Sequence, residues 1–118
     1  MKVDVQKIRK KTESDIDKAV RYYSVIFALN NIKIPRKQLC LLAFTAVRGS
    51  ITSPAARQEF IKLFKSSLAS LENMKQELVK AGWLVQIDMK YRANPKVALD
   101  FSKDIMLQIN LVGDDKSE

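Results

Sequence analysis

Three places in this chain join residue types that, at the right spacing, do covalent or acid–base chemistry. They are Ser14 with Lys18, Asp15 with Asp17, and the single cysteine, Cys40. Each lacks a needed partner or geometry. Ser14 and Lys18 share one helix face, but on a surface helix both side chains are solvated. Two carboxylates two positions apart diverge on a helix and do not share a proton or a metal ion. A cysteine nucleophile needs a base, and the chain has no histidine. There is no CxxC, no HExxH and no Gly-rich phosphate cradle. The expectation is therefore no enzyme, no catalytic residue, no cofactor and no metal site. Tyr22 and Tyr23 invite a base-stacking reading, yet a tyrosine pair on an amphipathic helix is more often core and rim.

What remains is charge. The net charge is +8 and the pI about 9.7, a balance that favours an anionic partner, nucleic acid first; the plain alternative is solubility. The cations are unevenly placed. Residues 1–11 set Lys2, Lys7, Arg9, Lys10 and Lys11 against Asp4. Residues 35–65 set Arg36, Lys37, Arg48, Arg57, Lys62 and Lys65 against Glu59. Residues 12–34 and 66–82 balance, and residues 102–118 are net negative.

Length and composition bound the architecture. A chain of 118 residues with 47% apolar content suits one packed domain, here residues 13–112, with a basic arm over 1–12 and an acidic tail over 113–118. No apolar run approaches the roughly 20 residues of a membrane span, so no membrane partner is expected. The first residues, MKVDVQKIRKK, have no apolar core of a secretion signal. One cysteine excludes an internal disulfide and points to a reducing, cytoplasmic setting, in a cell or in a host cell.

Periodicity supplies the elements. Ser14 followed by Asp17 resembles a capping box, and Ile16, Val20, Tyr23 and Phe27 form one stripe, which predicts a helix over 13–31. Pro35 opens a second helix to about Val47, apolar on most sides and so expected at the centre. Gly49 ends it, and Ile51-Thr52 is long enough for one strand bridge. Ser53-Pro54 is a cap followed by a first-position proline, which predicts a third helix over 54–64. Lys65-Ser66-Ser67 turns into a fourth, with Leu68, Leu71, Met74, Leu78 and Val79 as its apolar stripe and Gly82 as its stop. Residues 83–87 and 91–93 read as a hairpin about Asp88-Met89-Lys90, closed by Asn94-Pro95. Val97, Leu99 and Phe101 alternate and predict an extension of the sheet. Ile105, Leu107, Ile109 and Leu111 alternate likewise and predict a half-buried strand over 105–111. Residues 1–12 fit a short strand or a helix start equally.

The order helix, short strand, helix, turn, helix, hairpin resembles the winged helix-turn-helix family over residues 36–95. The best matches are the cap Ser53-Pro54, the turn Lys65-Ser66-Ser67, the helix ending LVKAGWL and the hairpin closing on YRANP. The ending KYRANPKV is similar to winged helices of plasmid and phage replication initiators and transcription regulators. The fold class expected is thus α+β, mainly helical, a winged helix-turn-helix with an extra N-terminal helix and a C-terminal β extension.

That resemblance implies double-stranded DNA as the partner. The helix over 67–81 would enter the major groove with Ser67, Ser70, Asn73, Gln76 and Lys80 toward base edges, since Asn and Gln pair with adenine and Ser with most bases. Arg57, Lys62 and Lys65 would grip the backbone beside the groove, and Lys90, Arg92 and Lys96 on the wing would contact phosphates. Lys75 would reach the groove or its rim. Glu72 and Glu77 oppose this role, because phosphates repel them. The alternative within the family is a protein-docking or assembly module, including a structural part of a virus or mobile element. A homodimer through the first helix or the last strand fits either role.

Overall fold

The computed structural model describes residues 4–6 and 14–111. Four helices come first, α1 (Asp15–Leu29), α2 (Arg36–Arg48), α3 (Pro54–Phe64) and α4 (Leu68–Ala81). A two-stranded antiparallel sheet follows, β1 (Leu84–Ile87) and β2 (Lys90–Ala93). The chain is α+β and mainly helical. Of the basic arm, residues 4–6 are exposed and have no regular structure. The rest of the arm and the acidic tail lie outside the described residues.

Local chemistry sets the helix ends where the sequence places them. Ser14, Ser53 and Ser67 each accept a hydrogen bond from the backbone N–H three residues on, at 3.1 Å, and so satisfy a donor that has no partner inside its helix. Gly49 and Gly82 end α2 and α4 with φ near +90°, where a side chain would be strained. Lys65 takes the same left-handed role after α3 at φ 51°, without the freedom of glycine.

α2 is the hub. Every residue from 39 to 45 is buried, and the helix packs on α1, α3, α4 and β2. Thr45, the buried polar side chain of the core, donates to the Leu41 carbonyl at 2.8 Å and leaves nothing unpaired. Two aromatic groups fill its flanks. Phe44, Phe60 and Phe64 stack along one side, with ring centres 5.5 and 4.8 Å apart. Tyr22, Tyr23, Phe27, Trp83 and Phe101 form the other, where Phe27 and Trp83 approach to 4.7 Å.

Two expectations for the end of the chain fail. Residues 96–101 do not extend the sheet. Their backbone turns after Asn94, with the N–H groups of Val97 and Ala98 both donating to the Asn94 carbonyl. The segment instead crosses α1: Tyr23 Oη donates to the Val97 carbonyl at 2.6 Å, and Phe101 is buried beneath Tyr22 and Tyr23. Residues 105–111 form no strand either. A strand needs a ladder, and no backbone hydrogen bond joins residues 104–111 to any described residue. Ile105 packs on the core, whereas Met106 and Leu111 are about nine-tenths exposed (89% and 92%). The α4 stripe is also narrower than its sequence pattern. Leu71, Met74 and Leu78 are buried, but Leu68 and Val79 are exposed. Val79 follows Leu78 by one residue, which turns it about 100° off the buried line.

The phenol of Tyr23 tests how the return segment is held. Burial pushes its ionisation far above the usual range, so the hydroxyl remains a donor. Tyr23→Phe keeps the ring and removes the donor, leaving the Val97 carbonyl unpaired. A loss of about 1–2 kcal/mol is expected in urea unfolding. A loss below about 0.5 kcal/mol would show that water serves that carbonyl equally well.

Candidate nucleic-acid interface

α3, the turn at Lys65 to Ser67, and α4 present one continuous piece of chain, and the hairpin follows after Gly82. On α4 the outward row is set by the inward one. The buried residues Leu71, Met74 and Leu78 fix the face turned to the core. Two positions on from each stand Asn73, Gln76 and Lys80, about 200° further round the helix, and all three are exposed. Burying one row therefore presents the other. Glu77 is exposed beside Asn73 on the same face. Ser67 is exposed but uses its oxygen as the helix cap, and its O–H remains a donor. Ser70 lies toward the buried flank and is half-exposed.

The flank bearing Glu72 and Lys75 is neutralised internally. Lys75 Nζ is 2.8 Å from one Glu72 oxygen, and Arg57 of α3 is 3.7 Å from the other. The same ammonium sits 4.5 Å from the centre of the Tyr91 ring on β2. Glu72 is thus balanced by two cations rather than free to repel an anion. Arg57 is correspondingly engaged, and Lys75 is held between α4 and the hairpin rather than offered to a groove.

The hairpin is attached by its backbone. Leu84 pairs with Ala93 and Ile87 with Lys90, and the core takes Leu84 and Ala93. Ile51 donates its N–H to the Tyr91 carbonyl at 3.1 Å, and Tyr91 donates its own to the Thr52 hydroxyl at 2.7 Å. One side-chain oxygen thus stands where a strand carbonyl would, and residues 51–52 form an edge contact rather than a third strand. Lys90 and Arg92 alternate with Tyr91 and fall on the opposite face of the hairpin, with Ile87 and Val85 across from them.

The cations expected to meet an anion form two groups. Lys62 and Lys65 stand at the C-terminal end of α3. Lys90 lines a shallow depression at the other end of α3 with Arg48, Ser53 and Ala56, and Arg92 lines its neighbour with Gly49 and Pro95. The length of α3 separates the groups by roughly 15 Å. Lys96 is exposed just past the hairpin. Among the described residues, Lys62, Lys65, Lys80, Lys90, Arg92 and Lys96 have no carboxylate at ion-pair distance. No three His, Cys, Asp or Glu side chains gather among the described residues to hold a metal ion. Cys40 is buried in α2, and burial pushes its thiol up, away from a reactive thiolate.

Arg48 is a residue that sequence reasoning left as a bare charge. It grips Glu59 with two of its three guanidinium nitrogens, Nη2 at 2.6 Å and Nε at 3.0 Å, and lies over the Phe44 ring. The signal was weak, because the two residues are eleven apart and on different helices. The hydrogen bonds from Arg48 hold the Glu59 carboxyl below the usual range. A depressed folded-state value adds stability that is complete above the unfolded value, about 4.3, and is lost as pH falls through the folded one. Both side chains are more than two-fifths exposed (42% and 43%), so screening limits the pair to less than about 1 kcal/mol. Glu59→Gln is expected to cost a few tenths of a kcal/mol at about pH 7, and progressively less as pH falls below the unfolded value, read from urea midpoints. An equal cost across that range would assign the effect to packing.

No helix among the described residues is long and apolar enough to cross a membrane. No family model, curated protein or solved structure matches this chain.

Proposed function

We propose that this chain is a winged-helix protein that binds double-stranded DNA, a cytoplasmic regulator or replication-type factor. α3 and α4 serve as the helix-turn-helix, and the hairpin as the wing. The observation that carries the reading is the outward face of α4. Asn73, Gln76 and Lys80 stand opposite the buried row, and cations with no carboxylate partner among the described residues stand at both ends of the helix before it. Amide side chains suit adenine edges in the major groove, while lysine and arginine set affinity and register on phosphates. The bonds from residues 51–52 to Tyr91 support the wing assignment, since they fix the hairpin beside the helix pair.

The internal balance of Glu72 removes half of the repulsion that the sequence alone suggests. Glu77 retains the other half, and its repulsion limits how tightly α4 sits in the groove.

The test is binding to a labelled random-sequence duplex at low and moderate salt. Binding that falls steeply with salt supports the reading. Selection from a random pool then asks whether Asn73 and Gln76 choose bases: Asn73→Ala with Gln76→Ala should relax the selected sequence and leave the salt slope alone. No binding at low salt by the folded protein overturns the reading. In that case Leu63 and Leu68, both half-exposed (53% and 52%) where α3 turns into α4, favour a protein-docking or assembly role.

A further inference from the structure

The tip of the hairpin is built against local preference. Asp88 and Met89 are its two central residues, and both are left-handed, with φ of 52° and 64°. Two-residue hairpin turns demand this conformation and favour Asn or Asp first and Gly second. Asp88 obeys the preference. Met89 does not: an unbranched apolar side chain occupies the position where only glycine is free of steric cost. Nothing in the fold repays it. Met89 is 83% exposed, and Ile87 beside it is more than a third exposed. Burial therefore does not explain a methionine there.

The setting of that tip is rigid and basic. Lys90 closes the turn opposite Ile87, and Arg92 follows on the same face. The base of the hairpin is fixed by Leu84 and Ala93 in the core, by residues 51–52 along β2, and by Lys75 over the Tyr91 ring. A flexible apolar side chain on a stiff hairpin, followed by two cations with no carboxylate partner among the described residues, is the make-up of a minor-groove wedge. Proteins of that type insert Met, Leu, Ile, Phe or Pro between base steps and hold the phosphates on either side with cations. Asp88 is the one carboxylate at the tip and sets a repulsive limit on how deep it sits.

We infer that Met89 is a wedge that enters the minor groove, partly unstacks one base step and bends the duplex, with Lys90 and Arg92 neutralising the adjoining phosphates. This rests on the DNA-binding reading and adds to it a duplex deformation that phosphate contact alone does not produce. Pyrimidine–purine steps, which unstack most easily, are the expected sites.

The experiment compares a short duplex carrying a central TA step with the same duplex carrying a mismatch there, both with end-attached fluorophores. A mismatch removes part of the unstacking cost in advance. The wild-type chain is expected to bind the mismatched duplex about tenfold more tightly and to shorten the end-to-end distance of the intact one. Met89→Ala is expected to bind the two within about twofold of each other and to leave the intact duplex straighter. Met89→Gly should do the same while melting at the wild-type temperature or roughly 3 °C above it, because glycine relieves the turn. Equal binding to both duplexes by the wild type, without bending, overturns the wedge and leaves the DNA reading standing. Discrimination that survives in Met89→Ala overturns it too, as does a Met89→Gly protein that melts well below wild type, which would make Met89 part of the fold. Failure of the folded wild type to bind either duplex at low salt removes the DNA reading and the wedge with it.

Discussion

Replacing Phe60 by alanine is expected to cost about 3–5 kcal/mol, the loss typical of an aromatic ring removed from a packed core. Phe60 is fully buried and is the one residue of α3 that is. Its ring meets Phe44 edge-on at 5.5 Å and Phe64 at 4.8 Å, so it joins α3 to the hub helix. The rest of α3 is exposed or half-exposed and offers little to hold it once the ring is gone. A domain of this size has roughly 5–15 kcal/mol in total, so the variant should stand near the edge of folding. Urea titration by circular dichroism reads the change. Leu63→Ala on the same helix is the control; its side chain is 53% exposed, and a change within about 0.5 kcal/mol is expected. A Phe60→Ala loss smaller than about 1.5 kcal/mol would mean that the helix is anchored elsewhere.

Changing Lys62, Lys65, Lys90 and Arg92 together to alanine is expected to cut DNA affinity by about two to three orders of magnitude at moderate salt. The effect comes from released ions. Each cation on a phosphate frees counterions and contributes about 0.9 to the slope of log affinity against log salt. Four lost contacts should flatten that slope by up to about 3.6. These four are chosen because none has a carboxylate within ion-pair distance among the described residues, so their removal leaves no stranded partner. Stability should therefore stay within about 0.5 kcal/mol of wild type. Arg57 is excluded because Glu72 faces it. A fall in affinity with an unchanged slope would place the effect on folding or shape instead of on phosphates.

The four helices and the hairpin were legible in the sequence because each carries its signal locally. Ser53-Pro54 caps and starts α3 within two residues, and Gly82 stops α4 by its own conformation. The end of the chain was not legible. Val97, Leu99 and Phe101 alternate as a strand does, yet Phe101 is drawn under two tyrosines of α1 nearly eighty residues earlier, and alternation carries no word of that partner. Leu68 and Val79 misled for a related reason. Period tells which residues share a stripe, while the width of the stripe that is covered depends on the neighbouring elements. The outward row of α4 was legible by subtraction from the inward one. The pairing of Glu72 with Lys75, three positions on along α4, follows a spacing rule, but that of Arg57 with Glu72 was not legible, because an ion pair between helices follows packing angles that no spacing rule contains.

The clasp between the return segment and α1 has a consequence in time. Consecutive helices touch one another, so much of this fold closes through short loops. The bond from Tyr23 to Val97 spans 74 residues, and that from Lys18 to the Lys103 carbonyl spans 85. Contacts of such separation cost the most chain entropy and gain it back only once the intervening structure exists. The helical body and hairpin are therefore expected to assemble before Phe101 closes onto α1. Release of that late contact is in turn expected to expose Tyr22, Tyr23 and Phe101 to solvent while α2 and the helix pair stay closed.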